Sequence, residues 1–304
     1  MTAASDGPPG KLIHLTPLRY PGGKGKLANY VKRLMKANGL LDGDYVEPYA
    51  GGAAVALELL LHEYVAHIYI NDVSRPIYAF WRSVLTDTEA FCRRIVDTPL
   101  TIDTWRRQKA ILMASADHDD SDLGFATFFL NRTNRSGILN GGVIGGLDQS
   151  GPWKIDARYN AAELVRRIEA IARVARRISL TRQDALEFLS EGVGAWPSRT
   201  LVYLDPPYYL KGNKLYYNYY KHDDHVRIAA FVREKIMDQK WIVSYDNVPA
   251  VRDLYEGAPF ITYDIAYSAR SARQGSEIMY FKESLRIPDP GGAMTPLEQP
   301  RLIA

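Results

Sequence analysis

The stretch LVYLDPPYYL, residues 201–210, constrains this chain more than any other. Its first four residues, apolar or aromatic, read as a buried strand. Asp205 and two prolines then stop it. Neither Pro206 nor Pro207 can donate to a sheet ladder, and Pro206 turns Asp205 away from helix. A stiff turn therefore holds a carboxylate and the Tyr208 and Tyr209 rings at a strand's C-terminal end. In open α/β sheets ligands bind outside those ends.

The rest of the sequence supplies such a sheet. YVEPYA (45–50) reads as a strand with a glycine turn behind it, and AAVALELLLHEY (53–64) as a helix of good helix formers. AHIYIND (66–72) is a second strand and RPIYAFWRSVL (75–85) a second helix. Strand–helix–strand–helix order predicts a parallel sheet. From about 87 to 177 helical segments dominate, broken by the glycine-rich SGILNGGVIGGLDQSGPWKIDARYN, too long for a simple connection. Strands resume with ISLTR (178–182), TLVYLD (200–205) and KWIVSYD (240–246), and a last pair, ITYDIAY and EIMYF, closes the sheet. The expected division is a tail over 1–15, a catalytic domain over 16–86 and 178–284, a helical target-recognition insertion over 87–177, and a flexible tail over 285–304.

With 304 residues, 46% of them hydrophobic, the chain can bury a sizeable core. One cysteine, Cys92, excludes an internal disulfide framework and a cysteine-rich zinc site and fits a reducing, cytoplasmic setting. No run reaches the ~18 apolar residues of a membrane span. The start, MTAASDGPPG, lacks the pattern of a secretory signal. The net charge of +3 says little about partners. Arginine is concentrated in NRTNR (131–135), at 166–167, in RVARR (173–177) and in SARSAR (268–273). A phosphate-binding face is one reading of these runs and solvated helix surface the plainer one.

Two strand ends carry acids beside a glycine turn: Glu47 with Gly51 and Gly52, then Asp72. Glycines let a ligand approach the backbone, and an acid at the next strand end can take ribose hydroxyls. The turn is not G-x-G-x-x-G, so a nucleoside without a pyrophosphate fits better. A tight βα turn with a capping acid is the structural alternative.

Four motifs occur in order: LRYPGGKGKL (18–27), VEPYAGGAAV (46–55), FLNRTNRSGI (129–138) and LVYLDPPYY (201–209). Together they resemble the Dam-like family of DNA adenine-N6 methyltransferases, over roughly residues 16–284. The resemblance implies a Rossmann-like α/β methyltransferase sheet with a helical DNA-recognition insertion. It implies S-adenosylmethionine as cofactor, held by Tyr20, Lys24, Glu47, Gly51, Asp72, Asp184 and Asp205. Lys24 would meet the methionine carboxylate, Asp72 the ribose, and Asp184 the cofactor adenine; Asp184 also reads as a helix cap. Tyr20 stands where the family commonly has Trp. Ala53 replaces the last glycine of the family's turn.

The implied chemistry answers why Asp205-Pro206-Pro207-Tyr208 exists. An exocyclic amino group is a poor nucleophile, because its lone pair is delocalised into the ring. Asp205 accepts one amino hydrogen and the Pro206 carbonyl the other, so that the lone pair points at the methyl donor. Pro207 stiffens the turn and Tyr208 offers a stacking face for a flipped base. Asn131, Arg132, Asn134 and Arg135, with Gln149, are the candidate nucleic-acid contacts of the insertion. KGNKLYYNYYKHDDH (211–225) has the composition of a loop against a nucleic-acid strand. Its HDDH needs no metal and supplies a helix cap. The expected protein is a monomeric, cytoplasmic, site-specific enzyme on double-stranded DNA, with no metal and no membrane. Methylation of RNA adenine or of cytosine N4, or a non-catalytic DNA-binding protein of the same fold, are the alternatives. A nicotinamide-dependent dehydrogenase lacks its phosphate fingerprint.

Overall fold

The computed structural model describes residues 15–19, 24–210, 220–236, 238–265 and 276–297. Their centre is an eight-stranded sheet in the order β3-β2-β1-β4-β5-β7-β6-β8. The strands are β1 (Gly43–Glu47), β2 (Val65–Asn71), β3 (Ile178–Thr181), β4 (Thr200–Leu204), β5 (Lys240–Asp246), β6 (Phe260–Ile265), β7 (Glu277–Phe281) and β8 (Met294–Pro296). β1 to β5 run parallel, and β7 enters antiparallel between β5 and β6. The chain builds outward from β1 through β2 to β3, then crosses back to lay β4 on the other side of β1. The strand order reverses there, so a crevice opens between the ends of β1 and β4.

Helices α1 (Ala28–Ala37), α2 (Ala54–Leu61), α3 (Arg75–Thr86), α4 (Thr88–Asp97), α5 (Ile102–Met113), α6 (Asp120–Thr133), α7 (Ala161–Ala172), α8 (Ala185–Gly192), α9 (His222–Glu234) and α10 (Pro249–Leu254) cover the sheet. Their starts are set by local chemistry. Thr101, Asp119, Asn160 and Asp184 each accept a backbone N–H of the helix they precede, and Pro76 sits in the first turn of α3.

β1, β4 and β7 are buried along their whole length, as expected of strands covered on both faces. Side chains alternate between two apolar cores. Tyr45, Leu201, Tyr203, Ile242 and Met279 face the core shared with α1, α2, α3 and α7, whereas Val46, Val202, Leu204, Val243 and Ile278 face that of α8, α9 and α10. The period of two sets which strand-end residues share a face, and so builds the site.

The helices of the expected insertion share the first of these cores. Phe91, Phe125, Phe128, Phe129 and Ile168 belong to the same buried cluster as Tyr45 and Ile68. Gly124 lets α6 lie directly on α3, where a Cβ would meet the Ala79 carbonyl at 2.5 Å. Within the expected C-terminal tail, residues 285–297 are held on the body of the protein. Leu285 is buried, the backbone N–H of Arg286 donates to Asn38, and β8 pairs with β6. The edge of β6 would otherwise be unpaired, and β8 covers it. Of the first tail only Leu15 lies within the described residues.

Candidate active site

The register of the sheet collects five polar side chains on one face of its C-terminal edge. Glu47 follows Tyr45 at period two, and Asp205 follows Tyr203. Ser244 on β5 stands beside Asp205, because Leu204 pairs with Val243. β7 runs the other way, so its first residue, Glu277, lies at the edge where the parallel strands finish. Tyr263 of β6 pairs with it.

Lys24, in the turn that enters α1, is buried among these groups. Its Nζ lies 2.7 Å from Glu277 Oε2, 3.2 Å from the Tyr208 hydroxyl and 3.6 Å from Asp205 Oδ1. Burial disfavours its charge, but Asp205 and Glu277 outweigh burial and hold the ammonium well above its ordinary pKa. Tyr208 donates to Glu277 Oε1 at 2.9 Å, and the lysine nitrogen lies 4.9 Å from the centre of its ring. Tyr263 donates to the other Glu277 oxygen.

Asp205 is the accessible member of the group, with 27% of its side chain exposed. Ser244 Oγ donates to its Oδ1 at 2.7 Å. Among the described residues nothing donates to Oδ2, nor to the Pro206 carbonyl. Burial lifts the carboxyl, Lys24 and Ser244 pull it back, and the balance is about 6. Beyond the prolines, Asp246 at the end of β5 accepts the backbone N–H groups of Tyr209 and Leu210, at 2.8 and 3.0 Å. The turn is thus pinned on both sides of Pro207.

Across the crevice, the turn after β1 is held from three directions. Asp72 Oδ2 accepts Gly51 N–H at 2.9 Å while its Oδ1 accepts Ser74 N–H, and Trp81 Nε1 donates to the Gly51 carbonyl. Gly51 and Ala53 both have φ of 46°. Ala53 therefore adopts the left-handed conformation that glycine would supply at no cost. Burial raises Asp72 to about 6 against these two backbone bonds. Glu47 is buried too, with one oxygen accepting both the Tyr45 hydroxyl and Ala56 N–H, and burial pushes it up to about 8. Asp184 caps α8 through Leu186 N–H and is otherwise exposed at the end of β3. Glu47, Asp72 and Asp184 thus close three adjacent strands. Tyr20 lies outside the described residues, as do residues 211–219 of the lysine- and tyrosine-rich segment and the SARSAR arginines.

The candidate nucleic-acid residues separate into two groups. Asn131 is buried, accepting Arg19 N–H and donating to the carbonyls of Arg19 and Gly137. Asn134 is also buried, accepting Trp105 Nε1–H and donating to the carbonyls of Ile138 and Leu139. Both amides are used inside the protein, where they splice the insertion to the chain that leads into Lys24. Gln149 likewise folds its own loop, bonding Ile144, Gly146 and Ile155. Gly137 packs so tightly on Arg19 that a Cβ would meet its carbonyl at 2.2 Å.

Arg135 and Arg158 are exposed and Arg19 half-buried. Arg132 donates to the carbonyls of Arg158 and Pro17, and burial together with Arg19, Arg167 and Arg158 lowers it to about 9. Arg167 is paired with Glu163 at 2.9 Å, but among the described residues Arg19, Arg132, Arg135 and Arg158 have no carboxylate within ion-pair reach. In HDDH, Asp224 accepts Lys221 N–H at the start of α9. Among the described residues no group of three or more His, Cys, Asp or Glu could hold a metal ion, and no helix is long and apolar enough to cross a membrane.

Four residues of the site, Ser244, Asp246, Tyr263 and Glu277, carried no motif. Glu277 did leave a signal. A lone acid opens the otherwise apolar strand EIMYF, and an antiparallel strand begins where its parallel neighbours end.

A type II methyltransferase of Methanocaldococcus jannaschii, M.MjaIII, is 24% identical over 263 residues, covering 79% of this chain and 87% of its own. Among solved structures, protein LPL1258 from Legionella pneumophila aligns over 86% of each chain, at 8% identity and a TM-score of 0.38. The family of D12 class N6 adenine-specific DNA methyltransferases matches residues 20–111 and 156–268, which include Lys24, the turn after β1 and Asp205-Pro206-Pro207-Tyr208. The chain belongs to that family and is a DNA adenine-N6 methyltransferase.

Proposed function

We propose that this enzyme methylates N6 of an adenine extruded from double-stranded DNA at a specific sequence, with S-adenosylmethionine as donor. The observation that carries the reading is Asp205 at the crevice between β1 and β4, with one oxygen pinned by Ser244 and the other unpartnered among the described residues. The crevice suits a nucleoside with a charged amino-acid end. Acids close β1, β2 and β3 on one side, and a buried ammonium, Lys24, stands beside the glycine turn's partner strand. Lys24, Gly51, Asp72 and Asp184 are the residues that would hold the cofactor. When bound, it supplies an electrophilic methyl group on sulfur.

The protein's own contribution is positioning. Asp205 Oδ2 and the Pro206 carbonyl accept the two amino hydrogens, which localises the nitrogen lone pair away from the ring. Two prolines and the Asp246 clamp keep those acceptors from rotating. Tyr208 flanks the base, its hydroxyl tied to Glu277 so that the ring cannot swing. Nothing in this scheme needs a protein nucleophile, and burial raises the Cys92 thiol to about 11 in keeping with an inert packing role. Arg19, Arg132, Arg135 and Arg158 are the proposed phosphate contacts.

The test is single-turnover transfer of labelled methyl to DNA by Asp205→Ala, with circular dichroism as folding control. Loss of a preorganised polar contact lowers rate by about 10²–10³. A folded variant transferring methyl at nearly the wild-type rate would reject the role of Asp205.

A further inference from the structure

Asp205 does not hold its own rotamer. Its Oδ1 receives the Ser244 hydroxyl at 2.7 Å, and Ser244 Oγ lies 3.0 Å from the Tyr203 hydroxyl. Because the serine proton is committed to the carboxylate, the tyrosine must donate to the serine oxygen. The chain Tyr203–Ser244–Asp205 therefore runs in one direction, from the interior to the crevice. Ser244 is wholly buried and Tyr203 nearly so. A serine at this depth in β5 contributes little apolar burial and has low strand propensity. Its hydroxyl donates one bond and accepts another.

We propose that Ser244, backed by Tyr203, is a positioning residue for methyl transfer. It fixes Asp205 through Oδ1 so that Oδ2 alone faces the target amino group. The proposal rests on the reading of Asp205 as the amino-group acceptor. A carboxylate free to rotate would share its hydrogen bonds between two oxygens and several orientations, and the amino nitrogen would be pyramidal for only part of the time. Lys24 approaches the same Oδ1, but at 3.6 Å and with Glu277 as its nearer partner, so it supplies field rather than direction.

The hydroxyl also favours the ionised carboxylate. The other charged and titratable groups that bear on Asp205 are Lys24 beside α1, Glu47 and Tyr45 on β1, Tyr203 on β4, Tyr263 on β6 and Glu277 on β7. These stay in place when Ser244 is changed. A displacement of the acid limb between wild type and a Ser244 variant therefore reports on the Ser244–Asp205 bond.

The experiment compares wild type, Ser244→Ala, Ser244→Thr, Tyr203→Phe and Asp205→Ala. It reads single-turnover rate against pH, with dissociation constants for S-adenosylmethionine and DNA measured separately. Ser244→Ala should lose roughly 10–100-fold in the transfer step, the range of a hydrogen bond to a charged group. Its affinities should stay within about two-fold of wild type, and its acid limb should move to higher pH. Ser244→Thr keeps the hydroxyl and should recover most of the rate. Tyr203→Phe should move the limb the same way by less. Should the threonine variant not fold, the paired shifts in Ser244→Ala and Tyr203→Phe decide alone. If Ser244→Ala transfers methyl at the wild-type rate with an unmoved acid limb while Asp205→Ala is inactive, the positioning role is overturned and the acceptor role stands. An active Asp205→Ala overturns the acceptor reading instead.

Discussion

Lys24 and Glu277, 253 positions apart in the chain, form an ion pair at 2.7 Å with 4% of each side chain exposed. The pair ties the N-terminal turn to the first residue of β7, on the far side of β4 and β5. Removing one partner of a buried pair costs about 3–5 kcal/mol, since the other charge is left without compensation. Lys24→Met leaves two carboxylates, Glu277 and Asp205, facing each other without a cation. Glu277→Gln leaves Lys24 with Asp205 and keeps an acceptor for Tyr208. Urea unfolding should therefore rank Lys24→Met below Glu277→Gln and both below wild type. Equal stability of Lys24→Met and wild type would mean the pair opens in solution.

Glu47 makes stability depend on pH in a direction opposite to that of a salt-bridged acid. Its folded carboxyl titrates at about 8, against about 4.3 in an unfolded chain. Below the unfolded value both states hold the proton and there is no contribution. Between the two values the unfolded state has released its proton and the folded state has not, so stability falls as pH rises through this window. Asp72 and Asp205, both near 6, add to the same slope. Glu47→Gln keeps an oxygen for Tyr45 and Ala56, because one Glu47 oxygen takes both bonds. It should flatten the decline between pH 5 and 8 and match or exceed wild-type stability at pH 8. Denaturant midpoints across that range decide it, and a variant that declines as steeply as wild type would assign the slope elsewhere.

The sheet was legible because its signals are local. Proline pairs, glycine turns and strand-length apolar runs act within a few residues, and KWIVSYD became β5 with its predicted ends. β8 escaped because three residues carry no period, and only the open edge of β6 gives them a reason to extend. The acids of the cofactor side could be found from their places at strand ends. Glu277 could not be joined to Asp205 from sequence alone, since their meeting depends on β7 running antiparallel beside β5, and Ser244 and Asp246 reach the turn only through the register of β5 on β4. The two asparagines show the opposite limit. A polar side chain in an arginine-rich stretch looks like a base reader until its partners are known. Asn131 and Asn134 spend every donor on backbone carbonyls.

That division sorts the interface variants. Asn131→Ala and Asn134→Ala should act through folding, because each leaves buried backbone groups unpaired at about 1–3 kcal/mol. The arginines should act through DNA. Arg135 and Arg158 are exposed and lack a carboxylate partner among the described residues, so their removal should leave the unfolding midpoint close to wild type. Each phosphate neutralised by an arginine adds about −0.9 to the slope of log K against log salt on duplex DNA. The double variant Arg135→Ala with Arg158→Ala should thus bind more weakly at low salt and show a slope shallower by about 1.8 if both touch phosphate. A loss of affinity with an unchanged slope would mean that the arginines contact bases rather than the backbone. Unchanged affinity would move the DNA path off this face. Arg132 is the less informative target, since it also donates to the carbonyls of Arg158 and Pro17 and its loss would loosen the segment that carries Arg19. Fluorescence anisotropy on a duplex of fixed length, from 50 to 200 mM salt, separates these outcomes over a range in which six to ten phosphate contacts change affinity by about 10³–10⁵.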